Sequence, residues 1–92
     1  MTFLEKLKRV TQKNSSLVCV GLDPDRAKLP KHLLSSKTPQ CDFNKAIVDH
    51  THDIACAYKL QFAFYGGAGA EAELEESIRY IQDRAPEAVI IL

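Results

Sequence analysis

Two charged residues stand where this sequence is otherwise apolar. Asp23 directly follows Leu17-Val18-Cys19-Val20-Gly21-Leu22, and Lys59 directly follows Ala55-Cys56-Ala57-Tyr58. A carboxylate at a strand end can accept hydrogen bonds from a sugar hydroxyl or pair with a lysine. A lysine inside an apolar run is costly to bury unless it is paired; otherwise its stem lies on apolar surface while the ammonium reaches water. Neighbouring parallel strands lie about 4.8 Å apart, so the two side chains can meet if the two runs are adjacent strands. Such a pair would hold both groups charged beside a substrate. The plainer readings are a turn at Asp23-Pro24-Asp25, capped by an aspartate, and a lysine that extends to the surface.

Other chemical groups carry less. Gly67-Ala68-Gly69-Ala70-Glu71-Ala72 has the spacing G-x-G-x-x-A. Between a strand and a helix, that spacing can seat a dinucleotide on backbone N–H groups. Here Glu71, Glu73, Glu75 and Glu76 follow at once, and their charge would repel a pyrophosphate. A loop leading into a helix is the simpler reading. His50 and His52 are two apart on an expected helix and do not share a face; His32 lies in an expected loop. Surface histidines and no metal site are expected. Cys19, Cys41 and Cys56 are odd in number and lack C-x-x-C spacing. This fits reduced thiols, with no disulfide framework or zinc site.

The elements that must position these residues can be read from periodicity. Residues 2–13 predict an amphipathic helix. Thr2 and Glu5 stand at capping-box spacing, and Phe3, Leu4, Leu7 and Val10 share a face. The run 17–22 is continuous rather than alternating, which predicts a strand buried on both faces, as in a parallel sheet. Residues 24–41 read as a long connection with room for one helical turn. A second helix is expected over 42–54, capped by Asp42, with Phe43, Ile47, Val48, Thr51 and Ile54 as its apolar stripe. The second strand is expected at 55–58, with Lys59 at its end. A possible strand precedes the Gly66–Gly69 loop. A third helix is expected over about 70–84, acidic early and basic late, which complements the helix dipole. Ala88-Val89-Ile90-Ile91-Leu92 reads as a third buried strand. The order α-β-α-β-α-β, with roughly 30 residues between strands, is that of right-handed parallel crossovers.

Bulk properties narrow the classes. The chain has 92 residues, 46% of them hydrophobic, with no formal net charge. It is one domain at most, and a marginal one, because short chains bury little of their surface. Residues 1–45 hold nine Lys/Arg against four Asp/Glu, and residues 46–92 hold three against eight; two differently solvated faces account for this. Nothing suggests a nucleic-acid partner. No apolar run reaches the ~20 residues that span a bilayer, and the charged N-terminus is unlike a signal peptide. A cytoplasmic protein is expected. A sheet ending on its most apolar run would leave an open edge, so the fold is expected to continue beyond Leu92.

Three segments together carry a family resemblance. Leu17-Val18-Cys19-Val20-Gly21-Leu22-Asp23-Pro24-Asp25, Phe43-Asn44-Lys45-Ala46-Ile47-Val48-Asp49, and Ala57-Tyr58-Lys59 with Phe62-Ala63-Phe64-Tyr65 follow one another in order. They resemble the first strand, the next helix and the second strand of a bacterial subfamily of orotidine 5'-phosphate decarboxylases. The resemblance runs over essentially the whole chain. It implies a (β/α)8 TIM barrel of parallel strands, with residues 1–92 as a single incomplete domain of roughly three strand–helix units. It also implies a usually dimeric enzyme converting orotidine 5'-phosphate to UMP and carbon dioxide in pyrimidine synthesis, without cofactor or metal. Lys59 would be the first lysine of the family's lysine–aspartate array and would also touch the ribose. Asp23 would bind a ribose hydroxyl. The proton-donating lysine belongs to an Asp-x-Lys-x-x-Asp motif after the third strand, which begins where this chain stops, so these residues alone are expected to be inactive. Two positions depart from the family pattern: Leu60 stands where proline is frequent, and Gly66–Gly69 is richer in glycine. The alternative is a non-catalytic α/β fragment or interaction module.

Overall fold

A computed structural model describes residues 2–15, 17–66 and 70–92. Helix α1 spans Phe3–Asn14. The Thr2 hydroxyl accepts the Glu5 N–H at 3.1 Å, satisfying one of the donors that a helix start leaves open. Ser15 ends the helix in the left-handed region, at φ 49°. Strand β1 follows at Val18–Gly21. Two short 3-10 turns, Arg26–Lys28 and Lys31–Leu33, occupy the connection to helix α2 at Pro39–Thr51. Strand β2 is Ala55–Lys59, a single turn α3 is Ala63–Gly66, helix α4 is Glu71–Arg84, and strand β3 is Val89–Ile91.

The three strands form one parallel sheet in the order β1-β2-β3. The register sets Gly21 opposite Lys59, and Lys59 opposite Ile91, so the three strands finish in one row. Helices α2 and α4 pack on each other. Beneath them the core gathers Leu22, Val48, Tyr58, Leu60, Tyr65, Leu74 and Ile81. Each such side chain contributes roughly 1.5–3 kcal/mol on leaving water. Helix α1 lies at the opposite end of the strands. Asn14 Nδ2 donates to Ala55 O at the start of β2 at 3.0 Å, and Lys13 pairs with Glu87 just before β3.

Several elements differ from the sequence reading. Helix α2 starts at Pro39, not at Asp42. Proline is well suited to the first helical position, where its fixed φ helps and its missing N–H goes unused. Asp42 therefore sits inside the first turn, where its carboxylate accepts the hydroxyls of Ser36 and Thr38. Ile54, expected on the helix stripe, lies beyond the helix and is 48% exposed. The stretch before Gly67 is the helical turn α3 rather than a strand.

The largest difference is β1. Expected to be buried on both faces, it is mostly exposed, because it is an edge strand with a neighbour on one side only. Of the α1 stripe only Val10 is buried, since α1 meets β2 and β3 near its C-terminal end and leaves Phe3 and Leu4 in solvent.

Candidate functional site

The row Gly21–Lys59–Ile91 marks the end of the sheet where Asp23 and Lys59 emerge. Ladder bonds carry the pairing past the strands: Leu22 N–H donates to Lys59 O at 2.8 Å, and Leu60 N–H donates to Ile91 O at 2.9 Å. Asp23 is half-buried, and its Oδ1 accepts the backbone N–H of Gln61 at 3.0 Å. Its carboxylate thus ties the end of β1 to the segment after β2. Asp25, not Asp23, supplies the local cap, accepting the Ala27 N–H at 3.0 Å.

Lys59 is exposed. Among the described residues the ion pairs are Lys13–Glu87, Lys45–Glu76, Arg79–Glu75 and Arg84–Asp49, so Asp23 and Lys59 do not form the direct pair that their spacing allows.

Behind Asp23 lies a buried polar network. The Tyr65 hydroxyl donates to Leu22 O at 2.6 Å and accepts from Asn44 Nδ2 at 2.9 Å. Asn44 Nδ2 also donates to Ser77 Oγ at 3.0 Å. Gln40 Nε2 donates to Pro24 O at 3.1 Å and to Phe64 O at 2.8 Å. Glu73 Oε1 accepts the Cys41 N–H at 3.0 Å, placing a carboxylate at the start of α2, where the helix dipole favours it. Burial pushes the Tyr65 phenol up to about 12, with the Asn44 hydrogen bond opposing and the Asp23 charge reinforcing the rise. Tyr65 is therefore a neutral donor at any ordinary pH.

Sequence reasoning assigns no site role to Gln40, Asn44, Tyr65, Glu73 or Ser77, although Asn44 and Tyr65 lie in segments that carry the family resemblance. A signal was present for two of them. Asn44 sits between Cys41 and Val48, and Ser77 between Leu74 and Ile81, at the three- and four-residue steps of a buried stripe. A polar residue inside such a stripe must find partners there.

A cleft of about 520 Å³ opens beside Asp23, walled by Asp25, Lys28, Leu29, Phe43 and Phe64. Carboxylates that accept from hydroxyls, flanked by aromatic faces, suit a polyhydroxylated ring. Lys59 is not part of this wall.

The remaining candidates lie elsewhere. Gly67, Ala68 and Gly69 are outside the described residues, and the turn before them is helical, which removes the strand that a dinucleotide fingerprint needs. His32, His50 and His52 are exposed. Among the described residues no group of three His, Cys, Asp or Glu side chains could hold a metal ion, and no helix is long and apolar enough to cross a membrane. None of the three cysteines forms a disulfide.

No protein-family model matches the chain. No solved structure matches it either. Curated relatives do. The orotidine 5'-phosphate decarboxylase of Cellvibrio japonicus is 46% identical over all of this chain and 34% of its own length. Those of Dechloromonas aromatica and Ralstonia nicotianae are 45% and 46% identical, again over all of this chain and 34% of theirs. The chain thus spans about a third of the length of the curated relatives it matches. From end to end, then, this parallel α/β chain is similar to about a third of each of these orotidine 5'-phosphate decarboxylases.

Proposed function

We propose that this chain forms the opening strands of a (β/α)8 barrel that decarboxylates orotidine 5'-phosphate to UMP in the cytoplasm. The observation that carries the reading is the unbroken similarity, at 44–46% identity, to proteins of that name. The parallel sheet and the position of Asp23 and Lys59 at the C-terminal ends of neighbouring strands support it, since that is where α/β barrels gather their chemistry. On this reading residues 1–92 are one incomplete domain of roughly three strand–helix units, and the working enzyme is a homodimer acting on a nucleotide without cofactor or metal.

Asp23 would accept a ribose hydroxyl from the cleft. Lys59 would contact the ribose and bring positive charge toward the carbon that loses its carboxylate. Loss of carbon dioxide leaves an electron pair on that carbon, and a fixed ammonium lowers the energy of the developing charge. In this structure Lys59 projects into solvent unpaired with Asp23. Its partner would then be an aspartate of the Asp-x-Lys-x-x-Asp motif expected after β3, whose lysine would deliver the proton. Asp23 and Lys59 bind and orient; they do not complete the reaction.

The test is a hybrid in which these 92 residues replace the matching third of the Cellvibrio japonicus relative. The hybrid should convert orotidine 5'-phosphate to UMP, and Lys59→Ala should lower its rate by about a hundredfold or more. A folded hybrid that is inactive, or one indifferent to Lys59→Ala, would sink the proposal.

A further inference from the structure

The backbone carbonyls on either side of Asp23 are both held by buried side chains from other parts of the chain. Leu22 O receives the Tyr65 hydroxyl at 2.6 Å, and Pro24 O receives Gln40 Nε2 at 3.1 Å. The same two side chains also grip the segment that carries Asp23's own partner. Tyr65 belongs to α3, just beyond Gln61, and Gln40 donates a second bond to Phe64 O at 2.8 Å. Asn44 completes the arrangement by donating to the Tyr65 hydroxyl at 2.9 Å, which orients the phenol's proton toward Leu22. Gln40, Asn44 and Tyr65 are each 0–1% exposed. The carbonyl oxygens Gln40 Oε1 and Asn44 Oδ1 are buried and meet no partner.

An apolar residue at either amide position would avoid the desolvation of that bare oxygen. What the amides supply in return is a set of donors aimed at the backbone around Asp23. With Oδ1 engaged by Gln61, Oδ2 is the oxygen available to a ligand. Its location then depends on how firmly residues 22–24 and 61–64 are fixed to each other.

We propose that Tyr65, Asn44 and Gln40 act as positioning residues, a buried clamp that fixes the Asp23 carboxylate for a ligand hydroxyl. The inference rests on the reading of Asp23 as a group that faces substrate. None of the three touches the ligand; they act through the backbone at Leu22, Pro24 and Phe64.

The experiment is amide hydrogen exchange by NMR on the complete 92-residue chain, for the wild type, Tyr65→Phe and Gln40→Met, with and without UMP. Each substitution keeps the side chain's bulk and removes its donor. The Gln61 amide should exchange about tenfold faster in both variants, while Val10 and Ile90 stay within about twofold of the wild type. UMP should shift the Gln61 signal in the wild type and do so less in the variants. An unchanged Gln61 rate overturns the clamp. So does equal acceleration of all core amides, or unfolding of both variants, since either shows that the network serves general stability. If the Gln61 amide loosens locally but UMP shifts nothing in the wild type or in the hybrid with the Cellvibrio japonicus relative, the clamp holds and the nucleotide reading fails.

Discussion

Strands β1 and β2 are neighbours built from similar apolar residues, yet they live in different surroundings. Ala55, Cys56, Ala57 and Tyr58 of β2 are all buried, whereas Val18, Cys19 and Gly21 of β1 are exposed. Composition is not the cause. β2 is flanked on both sides, by β1 and β3, and lies under the core formed with α2 and α4. β1 has a partner on one side only. An apolar run states that a segment gains from burial; the neighbours decide how much of that gain is realised.

Substitution tests this contrast most strongly. Tyr58→Ala removes a fully buried ring from the central strand and should cost about 3–5 kcal/mol, enough to unfold a chain of this size. Val18→Ala, at a position 45% exposed, should cost under about 1 kcal/mol. Urea denaturation compares the two, and equal losses would mean that β1 is as enclosed as β2.

Thiol chemistry sharpens the contrast next. Cys19 on β1 should react with a maleimide at once, and Cys41 and Cys56 about a hundredfold more slowly. Burial also raises the Cys41 thiol above its ordinary range, which keeps it protonated. Comparable rates at all three, followed by mass spectrometry, would show that the interior opens readily.

The pH dependence is smaller. Tyr65 is raised from 10.0 to about 12 in the fold. Above pH 10 the unfolded chain releases this proton while the folded chain keeps it. Stability from this group is therefore complete below pH 10 and lost as pH climbs toward 12, by roughly 2–3 kcal/mol. Burial raises Tyr58 in the same direction. Thermal melts from pH 8 to 12 should fall, and Tyr65→Phe should flatten the fall.

The smallest effects belong to the end of the sheet far from Asp23. Asn14→Ala leaves Ala55 O without its side-chain donor and should cost about 1 kcal/mol. Glu87→Ala, which removes a solvent-exposed ion pair with Lys13, should cost under about 0.5 kcal/mol. A larger loss from Glu87 than from Asn14 would reverse the expected order.

The same contrast explains what could be read in the sequence. Helices α1 and α4 and all three strands were legible, because capping residues and periodicity act locally; Thr2 does cap α1. The exposure of β1 was not legible, because edge and centre differ only in what lies beside them. Helix α2 was misplaced because Asp42 is an attractive cap, while Pro39 is an equally valid first helical residue whose claim prevailed. The strand-end placement of Asp23 and Lys59 followed from the runs before them. The absence of a direct pair did not, since spacing between strands fixes what is within reach and not which way a side chain turns. The buried amides were missed because Gln40 looks ordinary until Phe64 is seen across from it, 24 residues later, and Asn44 until Tyr65 and Ser77 are, 21 and 33 residues later.

Strand order in this sheet is also chain order. During synthesis, at roughly 5–20 residues per second, each strand reaches the folding compartment seconds after its neighbour. When β2 emerges, β1 is the only strand it can join, and when β3 emerges, the β1 edge that faces β2 is already taken. Within this sheet no strand has to insert between two earlier ones. The ribosome's direction of travel thus does part of the work of choosing the topology, because fewer wrong pairings are open to the nascent chain than to a refolding one.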